Sequence, residues 1–246
     1  MSKLIYLFAV VYIVFSFVGC DQDIDYPYEG KDRIQFKHFS TVYNRRIYAD
    51  SVVFSFGLLN DTVRVDTAKI VMQYLGKGSE TERTYNVTIV ADSTTAKEGI
   101  HYAAFPQEQK FRPGELTDTL RIVVYRDSLN KSFANPTNEC LYLRLQESED
   151  FDLGLRGGIS MRLLLNDYLS QPSWWSSHGG LGYFHPKKWR ILISFNENYK
   201  SDCSFDQNNE GRTYARGLDN YLRNVPTYDD ETGMRLYLTY MQEVEK

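Results

Sequence analysis

From Arg33 to about Leu165 the chain alternates apolar and polar residues with period two, in short runs broken by turn residues. Such a pattern puts one face of each run against a core and leaves the other wet, as strands of an antiparallel sandwich require. It argues against βαβ units, which would need intervening helices. A first strand is predicted at Arg33–Phe36. Val52, Phe54 and Phe56 then alternate with Ser51, Val53 and Ser55, and Val63–Leu75 alternates more loosely. Tyr85, Val87 and Ile89 continue the pattern, as do Leu120, Ile122 and Val124. Cys140, Tyr142 and Leu145 keep it less strictly, and Ile159–Leu165 closes the sheet. About seven or eight short strands at this spacing predict a mainly β, immunoglobulin-like sandwich over residues 31–170.

Composition agrees. Aromatics make up 15% of the 246 residues, and flat rings suit a pleated, half-buried surface. With 28 Lys+Arg against 32 Asp+Glu there is no cationic excess to displace counterions, so no nucleic-acid partner is expected. Three cysteines are too few for a disulfide scaffold. Beyond Asn166 the texture changes. QPSWWSSHGGLGYFHPKKW is a Gly/Ser/aromatic connector, with Pro186 at a plausible first helical position. The following WRILISF fits a helix or a strand. Tyr214, Leu218, Tyr221, Leu222 and Val225 form one helical stripe, with Pro226 just after it. Residues 171–246 are therefore read as an α-rich C-terminal appendage docked on the sandwich.

Residues 1–19 carry Lys3 and then the apolar run Leu4–Val18, shorter than the ~20 residues a membrane-spanning helix needs. A secretory signal peptide is the better reading. Phe17, Val18, Gly19 and Cys20 resemble a bacterial lipobox, although Phe17 replaces the usual Leu. The resemblance implies cleavage between Gly19 and Cys20 and lipidation of the Cys20 thiol, with multiple acyl chains giving stable membrane anchoring. Residues 20–30 form an acidic tether in which Asp21, Asp23 and Asp25 resemble the surface-export signal of Bacteroidota lipoproteins. A solvated linker is the bland alternative. The expected address is the outer membrane, lipid-anchored at the cell surface, with a periplasm-facing anchor as the alternative.

The segment 85–165 resembles Calx-beta domains, a Greek-key sandwich family. The carriers are Glu98-Gly99-Ile100-His101-Tyr102, Phe111-Arg112-Pro113-Gly114-Glu115, the strand TDTLRIVV, and Glu139 opening CLYLRL. His101 and Arg126 stand where calcium-binding members are expected to place carboxylates. Asp127 and Glu139 alone fall short of the six to eight oxygens Ca²⁺ takes. No metal and no cofactor are therefore expected. The whole layout, with Cys20, Gly99, Tyr102, Phe111, Pro113, Gly114, Trp175, Gly182, Tyr183 and Lys188, resembles a Bacteroidota lipoprotein family of unknown function. Members typically lie in gene clusters with SusC/SusD-like importers. The resemblance implies a non-catalytic accessory binding or scaffold subunit of a nutrient-uptake system, with the membrane and such an importer pair as partners. The alternatives are a structural adhesion module of the cell envelope and a cryptic hydrolase.

No H-E-x-x-H, G-x-S-x-G, P-loop or dinucleotide fingerprint is present. Of the histidines His38, His101, His178 and His185, the last two flank the Gly-rich loop and are read as surface residues rather than metal ligands. Trp174, Trp175 and Tyr183, with Phe184, are either an aromatic ligand platform or a clamp holding the appendage on the sandwich. The clamp is the commoner use of large aromatics. Cys140 and Cys203 are expected as free thiols, one of them buried, though the compartment permits a disulfide. Asp-Ser/Thr pairs at Asp50, Asp61, Asp66, Asp92, Asp118 and Asp127 resemble an O-glycosylation motif; turn chemistry explains them equally.

Overall fold

A computed structural model describes residues 30–42, 44–172, 174–175, 180–200 and 210–243. The chain divides into Met1–Lys31 and Asp32–Lys246, and every element below belongs to the second part. In chain order the strands are β1 (Arg33–Phe36), β2 (Phe39–Val42), β3 (Arg45–Tyr48), β4 (Ser51–Ser55), β5 (Val65–Leu75), β6 (Arg83–Ile89), β7 (Glu108–Phe111), β8 (Thr117–Tyr125), β9 (Glu139–Gln146), β10 (Asp152–Leu153) and β11 (Ser160–Asn166). Helices α1 (Pro186–Phe195) and α2 (Glu210–Asn224) follow, then β12 (Arg235–Leu236) and β13 (Met241–Gln242).

Two sheets face each other, in the orders β10-β1-β5-β8 and β4-β11-β9-β6-β7. The fold is the mainly β sandwich expected, with a small helical part. The longest ladder joins β5 to β8 antiparallel from Val65↔Tyr125 to Gln73↔Thr117. Along it Ala68, Ile70 and Met72 of β5 meet the same core as Leu120, Ile122 and Val124 of β8. The second sheet contributes Tyr85, Val87, Leu141, Leu143, Leu145, Met161, Leu163 and Leu165. In β9 both parities are partly apolar, and the structure settles which faces inward: Leu141, Leu143 and Leu145 are buried, while Cys140 and Tyr142 are only half-buried. The polar Glu139 alone could not decide this; Arg144 and Gln146, both exposed, hold the other face outward.

Turn chemistry fixes the ends of the ladders. Gly114 of the Pro113-Gly114 turn has φ +73°, where a glycine carries no penalty, and its N–H donates to Ser79 O at 2.7 Å. Asp66 and Asp118 each accept the N–H of the following Thr at 2.7 Å, so these two Asp-Thr pairs serve as local turn chemistry.

The β2–β3 hairpin was not foreseen, because β3 buries nothing and so has no periodic face to read. It is held partly by rings: Phe39 and Tyr48 lie 6.1 Å apart, and Arg46 covers Phe39 at 4.9 Å.

The C-terminal region builds a core of its own from Trp175, Leu181, Trp189, Leu192, Tyr199, Ala215, Leu218, Leu222 and Leu236, with Leu169 at the junction. WRILISF is helical. The stripe of α2 packs into this second core rather than onto the sandwich face, and it is narrower than expected. Leu218 and Leu222 are fully buried, whereas Tyr221 and Val225 are 37% and 42% exposed. Leu222→Ala should therefore cost about 2–5 kcal/mol, as cavity-forming changes do. Tyr221→Ala should cost well under that, as partly exposed positions do. Denaturant unfolding of both variants checks the contrast; equal losses would mean that α2 is rotated from this register.

Candidate functional site

Where the end of the sandwich meets the C-terminal region, a cleft of about 580 Å³ opens. Its walls are the β4–β5 loop, the turn after β8, the segment Lys131–Phe133, the exit of β11, the start of α1 and the loop Asp229–Glu231. Arg64, Arg126, Lys131, Lys187 and Arg190 line it beside Asp61, Asp167, Asp229, Asp230 and Glu231, so the cations and carboxylates balance.

Arg126 is the buried centre of one wall. Its Nε donates to Asp167 Oδ2 at 2.8 Å, Nη1 to Asn60 O at 2.7 Å and Val63 O at 3.1 Å, and Nη2 to Asp61 Oδ1 at 3.2 Å. The guanidinium also lies 5.5 Å from the Phe56 ring centre. Arg126 is thus a multiply bonded strut, and its accepted contacts hold the cation firmly charged. The hydrogen bond to Asp167 is the leading cause. Arg190 of α1 reaches the same loop from the other side, donating to Gly57 O at 2.8 Å.

His185 forms the opposite wall. It caps α1, its Nδ1 accepting the Lys187 N–H at 3.1 Å. That assignment leaves Nε2 to carry the proton in the neutral ring. The imidazole is 2% exposed, not a surface loop residue, and burial pushes its pKa below the usual value, partly opposed by Asp229. Asp229 Oδ1 stands 3.6 Å from Nε2, beyond hydrogen-bond length. Asp229 instead accepts the Glu231 and Thr232 N–H groups, each at 3.1 Å, and sits below the usual carboxylate range. Both His185 Nε2 and Asp167 Oδ1 are buried without a hydrogen-bond partner among the described residues. Both atoms are closed off from solvent, so they lie behind the cleft surface rather than on it.

Behind His185, Lys188 is wholly buried. Its Nζ donates to Leu181 O and Leu238 O, both at 2.8 Å, and to Tyr183 O at 2.5 Å, one carbonyl for each N–H. The Tyr183 and Trp175 ring centres lie 4.0 and 5.6 Å away. Burial pulls this ammonium down to about 7, against which three carbonyls and two ring faces favour the charged form. Gly182 permits the convergence: φ is +62°, and a Cβ there would lie 2.1 Å from Leu238 O.

Of the residues singled out in the sequence, Gly19, Cys20, Asp21, Asp23 and Asp25 lie outside the described residues, as do His178 and Cys203. Trp175 is 1% exposed, its Nε1 donating to Gly182 O at 3.2 Å, and Trp174 is half-buried 5.8 Å from it. Tyr183 is half-buried with its hydroxyl donating to Tyr240 O at 3.3 Å. Trp174 and Trp175 thus pack the core of the C-terminal region, and Tyr183 covers the Lys188 ammonium. His101 is buried, its Nδ1 accepting the Lys97 N–H at 2.9 Å. Among the described residues no three His, Cys, Asp or Glu side chains gather as a metal site would need. The residues that do converge, Asp167 and Asp229 above all, carry no motif, and Arg126 stood out in the sequence only as a cation where a carboxylate was expected.

The fold and cleft define a β-sandwich protein with a C-terminal helical region set against one end. Residues 28–198 match the model of a family described as a domain of unknown function, DUF4843, and the chain belongs to that family. The match takes in the sandwich and α1. No curated protein matches. Among solved structures, an apo-form Calx CBD1 domain is similar at 16% identity over 56% of this chain and 98% of its own, with a TM-score of 0.37. A putative carbohydrate binding protein from Bacteroides ovatus is similar at 16% identity, over 56% of this chain and 37% of its own, with a TM-score of 0.34. A protein of unknown function from the same organism shows 15% identity, over 54% of this chain and 43% of its own, with a TM-score of 0.33. This chain spans less than half of either Bacteroides protein.

The buried, neutral His185 sets a pH dependence. Its folded pKa lies below its unfolded one, so the stability it contributes is complete above about 6.5 and is lost as pH falls through the folded value. Asp229 adds a loss only below its ordinary value of 3.8. The melting temperature should drop between pH 7 and 5, and His185→Asn, which keeps a capping side chain, should flatten that slope. An unchanged slope in the variant would place the titration elsewhere.

Proposed function

We propose that this protein is a lipid-anchored, non-catalytic binding module of the outer-membrane surface, an accessory to a SusC/SusD-like nutrient-uptake system. The observation that carries the binding role is the cleft itself, about 580 Å³ and lined by charged and polar side chains together with Phe133. Its size falls in the range of small-molecule sites. The non-catalytic reading is supported by how the carboxylates are engaged: Asp167 and Asp61 by Arg126, Asp230 by Lys187 at 2.6 Å, and Asp229 by backbone donors.

The anchoring rests on the lipobox at Gly19-Cys20, and the surface address on Asp21, Asp23 and Asp25. No helix among the described residues is long and apolar enough to cross a membrane. The stretched tether from Asp21 to Gly30 spans no more than about 35 Å, which would keep the body near the membrane and any importer there. Cys20→Ala should move the protein from the membrane fraction to the soluble periplasm or leave its leader uncleaved. Replacing the three aspartates by Ala should keep membrane association but protect the protein from protease added to intact cells. Wild-type protein that resists such protease until the outer membrane is broken would overturn the surface address. Failure to co-purify with a SusC/SusD-like pair would overturn the accessory role.

A further inference from the structure

We infer that the β2–β3 ribbon docks into the phosphate-bearing surface of the membrane that holds the chain. This rests on the lipid-anchored reading and adds a second, non-covalent contact to it. Three observations carry it. The first is exposure. The ribbon belongs to neither sheet of the sandwich, and every residue of β3 is exposed. It is nevertheless well formed: Asn44 takes φ +60° in the turn, which Asn tolerates, and the register runs from Phe39↔Tyr48 to Val42↔Arg45. Ile47 and Tyr48 stay 53% and 64% exposed side by side. One exposed apolar side chain is ordinary, but such a pair on a strand that stabilises no core suits a partner surface.

The second observation is charge. Phe39–Tyr48 holds two arginines and no carboxylate, in a chain whose net charge is −4. Asp50, the nearest acid in sequence, pairs with Arg162 at 2.9 Å. No carboxylate among the described residues pairs with Arg45 or Arg46. Alternation puts Arg46 and Tyr48 on the face of Phe39, where Arg46 covers the Phe39 ring at 4.9 Å, and Arg45 and Ile47 on the other. Each face thus presents a guanidinium beside an apolar side chain. A protein partner meets one face of a ribbon. A headgroup layer surrounds both, pairing phosphates with the arginines and taking Tyr48 and Ile47 at its apolar margin. The third is reach. The chain from Cys20 to Arg33, where the fold begins, spans no more than about 45 Å even when fully extended. The ribbon follows directly on β1, so chain length keeps it within reach of the surface to which Cys20 would be fixed.

Hydrogen exchange read by mass spectrometry tests this on the full mature chain, with a hexahistidine tag at its start held by nickel-chelating lipid in place of the Cys20 anchor. Because the tag supplies the anchor, the result does not depend on acylation in cells, and the two proposals fail separately. On vesicles rich in phosphatidylglycerol, the amides of residues 39–48 should exchange at least about fivefold more slowly than in solution. Phosphatidylcholine vesicles, or about 1 M salt, where the Debye length falls to about 3 Å, should remove most of the slowing. Arg45→Gln with Arg46→Gln should remove it too, and Ile47→Ser with Tyr48→Ser should reduce it; circular dichroism confirms that each variant is folded. Lys69→Gln with Arg121→Gln, an equal change of charge at an exposed cross-strand pair of β5 and β8, should leave it intact. Unchanged exchange over 39–48 on the anionic vesicles would overturn the proposal, as would an equal loss in the Lys69 and Arg121 variant. Vesicles prepared from the outer membrane, which hold proteins, are run alongside. Slowing seen only there would give the ribbon to a protein partner and overturn the lipid one.

Discussion

A guanidinium taken out of water must be met by several acceptors at once, and Arg126 imposes that demand at the end of the sandwich. Its acceptors come from two directions: Asn60, Asp61 and Val63 from the β4–β5 loop, and Asp167 from the exit of β11. Because Arg126 follows β8 of one sheet and Asp167 follows β11 of the other, one side chain ties both layers together where the hydrogen-bonded ladders end. The loop it immobilises is the one that Arg190 of α1 grips through Gly57 O. The position of the helical region therefore depends on a loop conformation that Arg126 holds.

Lys188 plays the corresponding part on the far side of the cleft. Three carbonyls from the Leu181–Tyr183 segment and from Leu238 converge on its Nζ, drawing the connector, α1 and the C-terminal ribbon into one knot. The adjacent His185 is thereby fixed as both helix cap and cleft wall. Buried charge is costly in the apolar core, and here it lies at the margin of two cores rather than within either. The two apolar cores supply cohesion. The two buried cations supply the relative placement of loops that a cleft requires.

Much of the sandwich was legible, because period two has one physical cause, a face that must be dry. β8 read true in its inward face, Leu120, Ile122 and Val124, with Arg121 marking the outer one; β5 begins at Val65 rather than Val63, and beside Ile70 only Lys69, not Val71, marks its outer face. β9 did not read true, because ECLYLRLQ has apolar residues on both parities. The β2–β3 hairpin was invisible for the opposite reason: neither face of β3 is buried. In WRILISF alternation and helical spacing coincide, and His185 at the cap with Pro186 after it decided for the helix. The cleft was the least legible part. Arg126 and His101 were read as calcium ligands missing from a resemblance, while the positive role of Arg126 depends on Asp167, some forty positions away, which no local pattern connects to it. His185 was misplaced on the surface because its loop is rich in Gly and Ser, and its burial comes from Phe133 and Asp229, both distant in sequence.

If Arg126 organises this end of the fold, it and Asp167 must be energetically coupled. A double-mutant cycle of Arg126→Met and Asp167→Leu, read by denaturant unfolding, measures that coupling directly. Each single change should be costly, about 3–5 kcal/mol, because it strands a buried charge. The double variant should be far more stable than the sum of the two losses implies, with a coupling of at least about 1.5 kcal/mol. Losses that simply add within about 0.5 kcal/mol would show that the two side chains act independently, and would contradict the account of Arg126 as the strut of the cleft.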